Sequence, residues 1–357
     1  MEYWNNGMLE ESITPIFQYS IIPNHLVLKS IQTGESMRSV YRDILLAGRG
    51  IKNYLLGFPL CVSFEITYRC NALCRHCHLH HEVDKELASP GHYGNICRQL
   101  KPVVAQVSGG EPLLRKDHLD IIRALKNKNG TPFIVLTTNG ALLTKEKYYE
   151  LITAGVDEIS LSLDYPDERH DTFRGIPGLF RKIETLMDDL GKSNGKAITV
   201  SCVIQSDNYP ELPKVVKLAH KWGIQANFST YTWLRTHDKS LAIPKDEIDE
   251  FQGIIKQIIQ FKKRYKNIRT SDFVLRNIPT FFLNEELPNC RAGKRFLIVN
   301  PNGTFSPCGL IIENYHGRRE LNEKFKYQTS CSECYTSIRA NTEKPWYYQI
   351  KDNIKLF

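Results

Sequence analysis

The sequence predicts an α/β fold: a partial, open (β/α)6 barrel of the TIM-like kind, with a small hairpin-plus-helix domain behind it. Three observations carry this expectation. From Pro59 to about Arg235, short strand-like runs alternate with amphipathic helical runs, the mark of a parallel sheet with right-handed crossovers. The strands are apolar on one face and polar on the other, whereas a parallel sheet covered on both faces is apolar throughout. After Arg235 the alternation stops, and four cysteines gather around an Asn302-Gly303 hairpin signal.

Residues 1–58 read as a helical lead-in. Glu35–Leu56 places Met37, Tyr41, Ile44, Leu45, Ile51 and Leu55 at helical spacing, which predicts a helix packed on the main domain, or else one lying on a membrane surface. Gly57-Phe58-Pro59 then breaks the chain. The candidate strands are Cys61–Thr67, Val103–Ser108, Phe133–Thr138, Glu158–Leu163, Ile198–Ile204 and Gln225–Thr230. Between them, Pro112–Lys128 carries Leu119, Ile122 and Leu125. Thr144–Ala154 opens on an N-cap candidate and closes at Gly155. Phe180, Ile183, Met187 and Leu190 form the next apolar stripe, and Leu212–Trp222 the last.

Strand parity decides the shape. Val62, Phe64 and Ile66 oppose Ser63, Glu65 and Thr67; Ile159, Leu161 and Leu163 oppose Ser160, Ser162 and Asp164. A closed eight-strand barrel fills its lumen with branched apolar side chains. A polar lumen with six candidate strands predicts an open barrel that holds a ligand. Farther on, Pro244–Tyr265 reads as a long helix and Phe296–Phe305 as a hairpin. The expected divisions are the lead-in (1–58), the barrel (59–240), a helical connector (241–285) and the cysteine domain (286–357).

Composition narrows the function classes. With 357 residues, 41% hydrophobic and 24% charged, the chain is near the globular average, which excludes wholesale disorder and small disulfide scaffolds. The net charge of +8 is scattered without a block of like charges, so no nucleic-acid partner is expected; a basic face suits an anionic substrate or an acidic electron donor. No apolar run reaches the length of a membrane span, and the N-terminus lacks signal-peptide character, so a cytoplasmic location is expected. In that reducing location the ten cysteines are not structural disulfides.

Seven of these cysteines form two sets. Cys70, Cys74 and Cys77 make C-x3-C-x2-C directly after the first strand. Three thiolates on one tight loop hold three metals of a cubane cluster and leave the fourth open; a zinc ion would want a fourth ligand, from His76, His78, His80 or His81. Cys290, Cys308, Cys331 and Cys334 bracket the hairpin and end in C-x2-C. Spacing alone leaves a fully ligated iron–sulfur cluster and a structural zinc both open there. Of the remaining three, Cys202 has core parity, and Cys61 has inward parity at the far end of its strand.

Four motifs follow one another at the carboxyl ends of successive strands: Glu65-Ile66-Thr67-Tyr68-Arg69-Cys70-Asn71, Ser108-Gly109-Gly110-Glu111-Pro112, Thr137-Thr138-Asn139-Gly140, and Ser162-Leu163-Asp164 running on to His170-Asp171 and Arg174-Gly175. In these the chain, from about Pro59 to Arg235, resembles radical S-adenosylmethionine (radical SAM) enzymes. Its C-terminal cysteines resemble the twitch half of the SPASM auxiliary domain. The resemblance implies a 4Fe-4S cluster on Cys70, Cys74 and Cys77, whose open iron is chelated by S-adenosylmethionine. It implies cofactor contacts from Gly109 and Gly110 to the methionyl amine, with Glu111 close by and Asn139 in the same set. Ser162 and Asp164 suit ribose or carboxylate contacts, and Arg174 a bidentate clamp on the carboxylate. His76 stands where relatives carry an aromatic that packs on adenine. A second 4Fe-4S cluster on Cys290, Cys308, Cys331 and Cys334 is implied too, as are oxygen sensitivity and reduced flavodoxin or ferredoxin as electron donor. The implied reaction is reductive cleavage to a 5′-deoxyadenosyl radical that abstracts hydrogen from a substrate, and no acid–base dyad is needed to start it. A peptide or protein side chain is the favoured substrate; a small metabolite, cofactor precursor or isoprenoid lipid is the alternative. The rival from another class is a non-catalytic zinc protein that binds nucleic acid.

Overall fold

The computed structural model describes residues 37–191, 196–325, 331–345 and 347–348. Six strands carry the barrel: β1 (Cys61–Glu65), β2 (Val104–Ser108), β3 (Phe133–Thr138), β4 (Glu158–Ser162), β5 (Ile198–Ile204) and β6 (Gln225–Thr230). The hairpin contributes β7 (Phe296–Val299) and β8 (Phe305–Ser306). All eight join one sheet in the order β6-β5-β4-β3-β2-β1-β7-β8. Every pairing is parallel except β7 with β8. The structure is thus a mostly parallel α/β sheet with helices, in the form of a partial barrel.

The hairpin does not form a sheet of its own. β7 lies parallel against the free edge of β1, pairing Cys61 with Phe296 and Phe64 with Val299. An unpaired edge would leave the N–H and C=O groups of β1 exposed, and the apolar, fully buried run Phe-Leu-Ile-Val covers them.

Parity divides the sheet as read. Ala105, Val107, Ile134, Leu136, Ile159, Leu161 and Val200 are buried beneath helices. On the other face, Ser63 Oγ meets Ser108 Oγ at 2.8 Å, Gln106 Nε2 donates to Thr137 Oγ1 at 3.0 Å, and Ser160 Oγ meets Ser201 Oγ at 2.8 Å. These lumen groups pair across strands, so the lumen needs no apolar filling there.

The helices are α1 (Met37–Leu56), α2 (Pro90–Leu100), α3 (His118–Leu125), α4 (Lys145–Ala154), α5 (Arg169–Arg174), α6 (Leu179–Asp189), α7 (Leu212–Lys221), α8 (Ile248–Tyr265), α9 (Asp272–Asn284), α10 (Arg318–Lys324) and α11 (Ser337–Glu343). The cap signals act as expected: Thr144 Oγ1 accepts from Lys147 N at 3.2 Å, and Gly155 closes α4 at φ 117°. One expectation is reversed. Tyr41, Ile44, Ile51 and Leu55 of α1 are exposed, and the helix docks through polar groups instead. Arg42 Nη1 donates to Asp157 at 2.9 Å, Arg49 Nη2 to Thr131 Oγ1 at 2.9 Å, and Asn53 Nδ2 to the carbonyl of Pro59 at 2.8 Å. Among the described residues no helix is long and apolar enough to cross a membrane.

Candidate active site

The first cysteine set sits on the loop that leaves β1. That loop is fixed from two sides. Gly110 N donates to Thr67 O at 2.7 Å and Glu111 N to Arg69 O at 2.8 Å, which lays the turn after β2 flat against the loop. A Cβ on Gly109 would stand 2.1 Å from Thr67 O, and one on Gly110 2.3 Å from Arg69 O. The glycine pair therefore lets two backbones touch, and Gly109 also holds φ 136°, a conformation that side chains disfavour. From the far side, Leu73 N donates to Arg174 O at 2.9 Å, and Tyr68 N to Asp84 Oδ1 at 2.7 Å.

Cys70, Cys74 and Cys77 then line one cavity of about 160 Å³ with His76, Gly109, Gly110, Asn139, Ser162 and Arg174. Nine of the residues singled out from sequence are thus brought together around one space. Two others lie behind its wall. Glu111 is fully buried and accepts from Leu113 N at 3.1 Å, Thr138 Oγ1 at 2.9 Å and Asn139 N at 2.8 Å. Asp164, also fully buried, accepts from Arg174 Nε at 2.7 Å and Val203 N at 2.9 Å. Their carboxylates are occupied within the protein, so both act as braces for Asn139 and Arg174.

Burial sets the electrostatics. It raises Glu111 to about 7, opposed by the three hydrogen bonds it accepts. It raises Asp164 too, with Arg174 pulling the other way. His76 is held well below its ordinary value by burial and then by Arg174, so its ring is neutral. Burial raises Cys70 to about 11 and also raises Cys74. Arg174 offsets this at Cys74, its Nη1 3.6 Å from the sulfur, and Arg235 Nη1 lies 3.8 Å from Cys77 Sγ.

Some site residues escaped the sequence reading. His76 stacks on Phe173 with centroids 5.2 Å apart and planes at 26°. Asn71 Oδ1 accepts from Asn139 Nδ2 at 2.7 Å, tying the cysteine loop to β3. Phe173 and Asn71 adjoin Arg174 and Cys70 within the quoted motifs, the one signal that marked them. Arg235 carries no sequence signal.

The second cysteine set also converges. Cys290, Cys308, Cys331 and Cys334 line a cavity of about 200 Å³ whose opposite wall is the lumen face of Ser63, Glu65, Gln106 and Ser108. A hydrogen bond between the thiols holds Cys331 down at about 6 and drives Cys290 upward. Arg339, 1% exposed, donates to the carbonyls of Cys334 at 2.7 Å and Pro288 at 3.0 Å, and lies 3.8 Å from Cys334 Sγ. Cys61, Cys97 and Cys202 line neither cavity; burial raises Cys61 and Cys97 to about 12 and Cys202 further, so they are protonated core thiols.

The pattern of the radical SAM superfamily matches residues 64–219, the stretch that carries this first cavity. Residues 64–219 thus match a radical SAM domain. With the enzyme relatives that follow, this makes the protein an enzyme of radical chemistry, and the matched family implies a 4Fe-4S cluster and S-adenosylmethionine. An AdoMet-dependent heme synthase of Oleidesulfovibrio alaskensis is 24% identical over 279 residues, 71% of this chain and 71% of that protein. A PqqA peptide cyclase of Granulibacter bethesdensis is 27% identical over 263 residues, 70% of this chain and 67% of that protein. Among solved structures, Streptococcus suis SuiB bound to the precursor peptide SuiA superposes with a TM-score of 0.57 at 16% identity, covering 82% of this chain and 75% of that one. The protein anSMEcpe, with bound AdoMet and the Cp18Cys peptide, gives a TM-score of 0.54 at 17% identity, covering 84% and 99%. At these identities the structures establish the shared fold.

The residues around the first cavity fit the implied groups. Three thiols from one loop leave a cubane corner open. Arg174 favours the ionised form of Cys74, and an amine–carboxylate ligand finds backbone polar groups at Gly109 and Gly110 beside a neutral aromatic pair at His76 and Phe173.

Proposed function

We propose that this radical SAM enzyme holds its cluster on Cys70, Cys74 and Cys77 and acts on a peptide or protein side chain. The observation that carries the site is the single cavity shared by those three sulfurs, the glycine pair, Asn139, Ser162 and Arg174. When bound there, the cluster and S-adenosylmethionine supply reductive cleavage to methionine and a 5′-deoxyadenosyl radical that removes hydrogen from the substrate.

The chain's own residues orient and shield. Gly109 and Gly110 offer backbone groups to the methionyl end, while Glu111 holds Asn139 N in place at 2.8 Å. Asp164 fixes the Arg174 guanidinium, whose remaining edge faces Cys74 and a ligand carboxylate. His76 and Phe173 give the adenine a stacking surface. The walls exclude water and oxygen from the lumen. Cys290, Cys308, Cys331 and Cys334 hold a second 4Fe-4S cluster, and reduced flavodoxin or ferredoxin supplies electrons. The lead-in (1–58), barrel (59–240), connector (241–285) and auxiliary segment (286–357) divide the work, with the hairpin strands shared by the last segment and the sheet.

The peptide assignment is supported by the PqqA peptide cyclase relative. The heme synthase relative supports a second reading, a small cofactor precursor. The deciding experiment is anaerobic reconstitution followed by dithionite and S-adenosylmethionine. 5′-Deoxyadenosine is expected from wild type and absent from Cys74→Ala; persistence in the variant overturns the ligand assignment. Candidate peptides and tetrapyrroles are then added, and the true substrate raises that yield and gains a mass change.

A further inference from the structure

A buried carboxyl with an open position lies between the two cysteine sets. Glu65 ends β1 on the lumen face, is 7% exposed, and its Oε2 accepts no hydrogen bond. Arg235, in the loop after β6, directs Nη1 toward the carbonyl of Cys77 at 3.5 Å, and its buried Nε has no partner either. Both side chains border one spot. A Cβ built on Gly309 would stand 3.0 Å from Glu65 Oε1 and 3.9 Å from Arg235 Nη2. Because residue 309 is glycine, that spot stays open, and Glu65 and Gly309 both line the 200 Å³ cavity.

We propose that Glu65, Gly309 and Arg235 form a binding site for a neutral amide group of the substrate, its N–H donating to Glu65 and its C=O accepting from Arg235. A buried donor and a buried acceptor left without partners are costly, and native proteins rarely keep them. At the Gly309 spot the atoms on offer are Glu65 Oε1 and Arg235 Nη2, beside the buried ones, and the ligand that pairs both side chains is one that donates and accepts from adjacent atoms. An ammonium group would satisfy Glu65 but set a second cation against Arg235; a carboxylate would do the reverse beside Glu65. An amide pairs both without adding charge to a desolvated space. Leu234, Ile298, Leu310 and Ile311 line the same cavity and take apolar flanks. Burial raises Glu65 to about 7 with Arg235 opposing, so the group accepts a hydrogen bond on either side of neutrality.

This site rests on the peptide reading but is tested apart from it. Full-length protein, reconstituted anaerobically with iron and sulfide, is probed by saturation-transfer NMR with N-acetylglycine methylamide, sodium acetate and methylammonium chloride. Wild type binds the amide about tenfold better than either ion, a gap expected when a buried polar pair is matched rather than mismatched. Glu65→Ala, which removes the acceptor, and Gly309→Leu, which fills the space, each lose most of that binding while iron content stays at the wild-type level. Glu65→Gln removes the anion and gains acetate binding, a gain that loss of folding does not produce. The proposal is overturned if wild type binds the three probes alike or not at all, if Glu65→Ala or Gly309→Leu binds the amide as wild type does, or if Glu65→Gln gains no acetate binding. Amide binding without peptide turnover removes the peptide reading and leaves the site standing; peptide turnover without amide binding does the opposite.

Discussion

Arg174 donates from Nε to the buried carboxylate of Asp164 at 2.7 Å, and the same guanidinium reaches Cys74 Sγ at 3.6 Å. Its carbonyl accepts from Leu73 N, so this pair ties the end of β4 to the cysteine loop. Asp164→Ala strands a buried cation, and its loss should destabilise the fold by about 3–5 kcal/mol in urea titrations. Arg174→Lys keeps the charge but not the planar fork. It should retain most of the stability and lose about tenfold in 5′-deoxyadenosine formation. Wild-type stability in Asp164→Ala would remove this brace from the account.

The glycine pair yields a sharper steric test. In Gly110→Ala the new Cβ would meet the carbonyl oxygens of Arg69 at 2.3 Å and Tyr68 at 2.4 Å. Both are backbone atoms of the cysteine loop, so no rotamer change relieves the clash, and the loop must shift. A displacement near 1 Å at reacting groups costs about 100-fold in rate. Gly110→Ala is expected to lose 5′-deoxyadenosine formation on that scale while remaining folded by circular dichroism. Gly91→Ala, which meets nothing within 4 Å, is the control and should behave as wild type.

The strands were legible where alternation was clean and loops bounded it. Phe133–Thr138, Ile198–Ile204 and Gln225–Thr230 stand as read. The helix Pro90–Leu100 was not legible although Ser89 and Pro90 suit its start, because Gly91 and Gly94 are poor helix formers and packing of Tyr93, Ile96, Cys97 and Leu100 decides the conformation. The apolar stripe of α1 was real but misleading: Arg42, Arg49 and Asn53 dock the helix, and the stripe faces outward. Which sheet edge the hairpin joins cannot be read from its own apolar run, since that run suits any buried position. Parity placed Glu65 in the lumen. Its missing partner depends on Arg235 and Gly309, 170 and 244 residues farther along the chain, and no local pattern brings those together.

Glu65 and Glu111 give the protein a pH signature. Burial raises both from 4.5 to about 7. The unfolded chain releases these protons near 4.5 and the native state holds them to about 7, so between those values the native state binds more protons and stability falls as pH rises. Each group contributes a loss of up to about 3 kcal/mol across that window at 1.36 kcal/mol per unit. Glu65→Gln should therefore gain on wild type as pH climbs from 4.5 to 7 and run parallel above it. Urea titrations at half-unit steps check this, and parallel curves throughout would mean that Glu65 is solvated in solution.

The two cysteine sets line different cavities, and Glu65, Ser63 and Ser108 line the second. Removing a ligand from one should leave the metal in the other. Cys331→Ala is expected to lower iron from about eight to about four per chain after anaerobic reconstitution, the content of one cubane. Its 5′-deoxyadenosine formation without substrate should persist, because Cys70, Cys74 and Cys77 are untouched. If wild type instead holds about four irons and one zinc, and Cys331→Ala loses the zinc alone, the second site is a structural zinc and not a cluster.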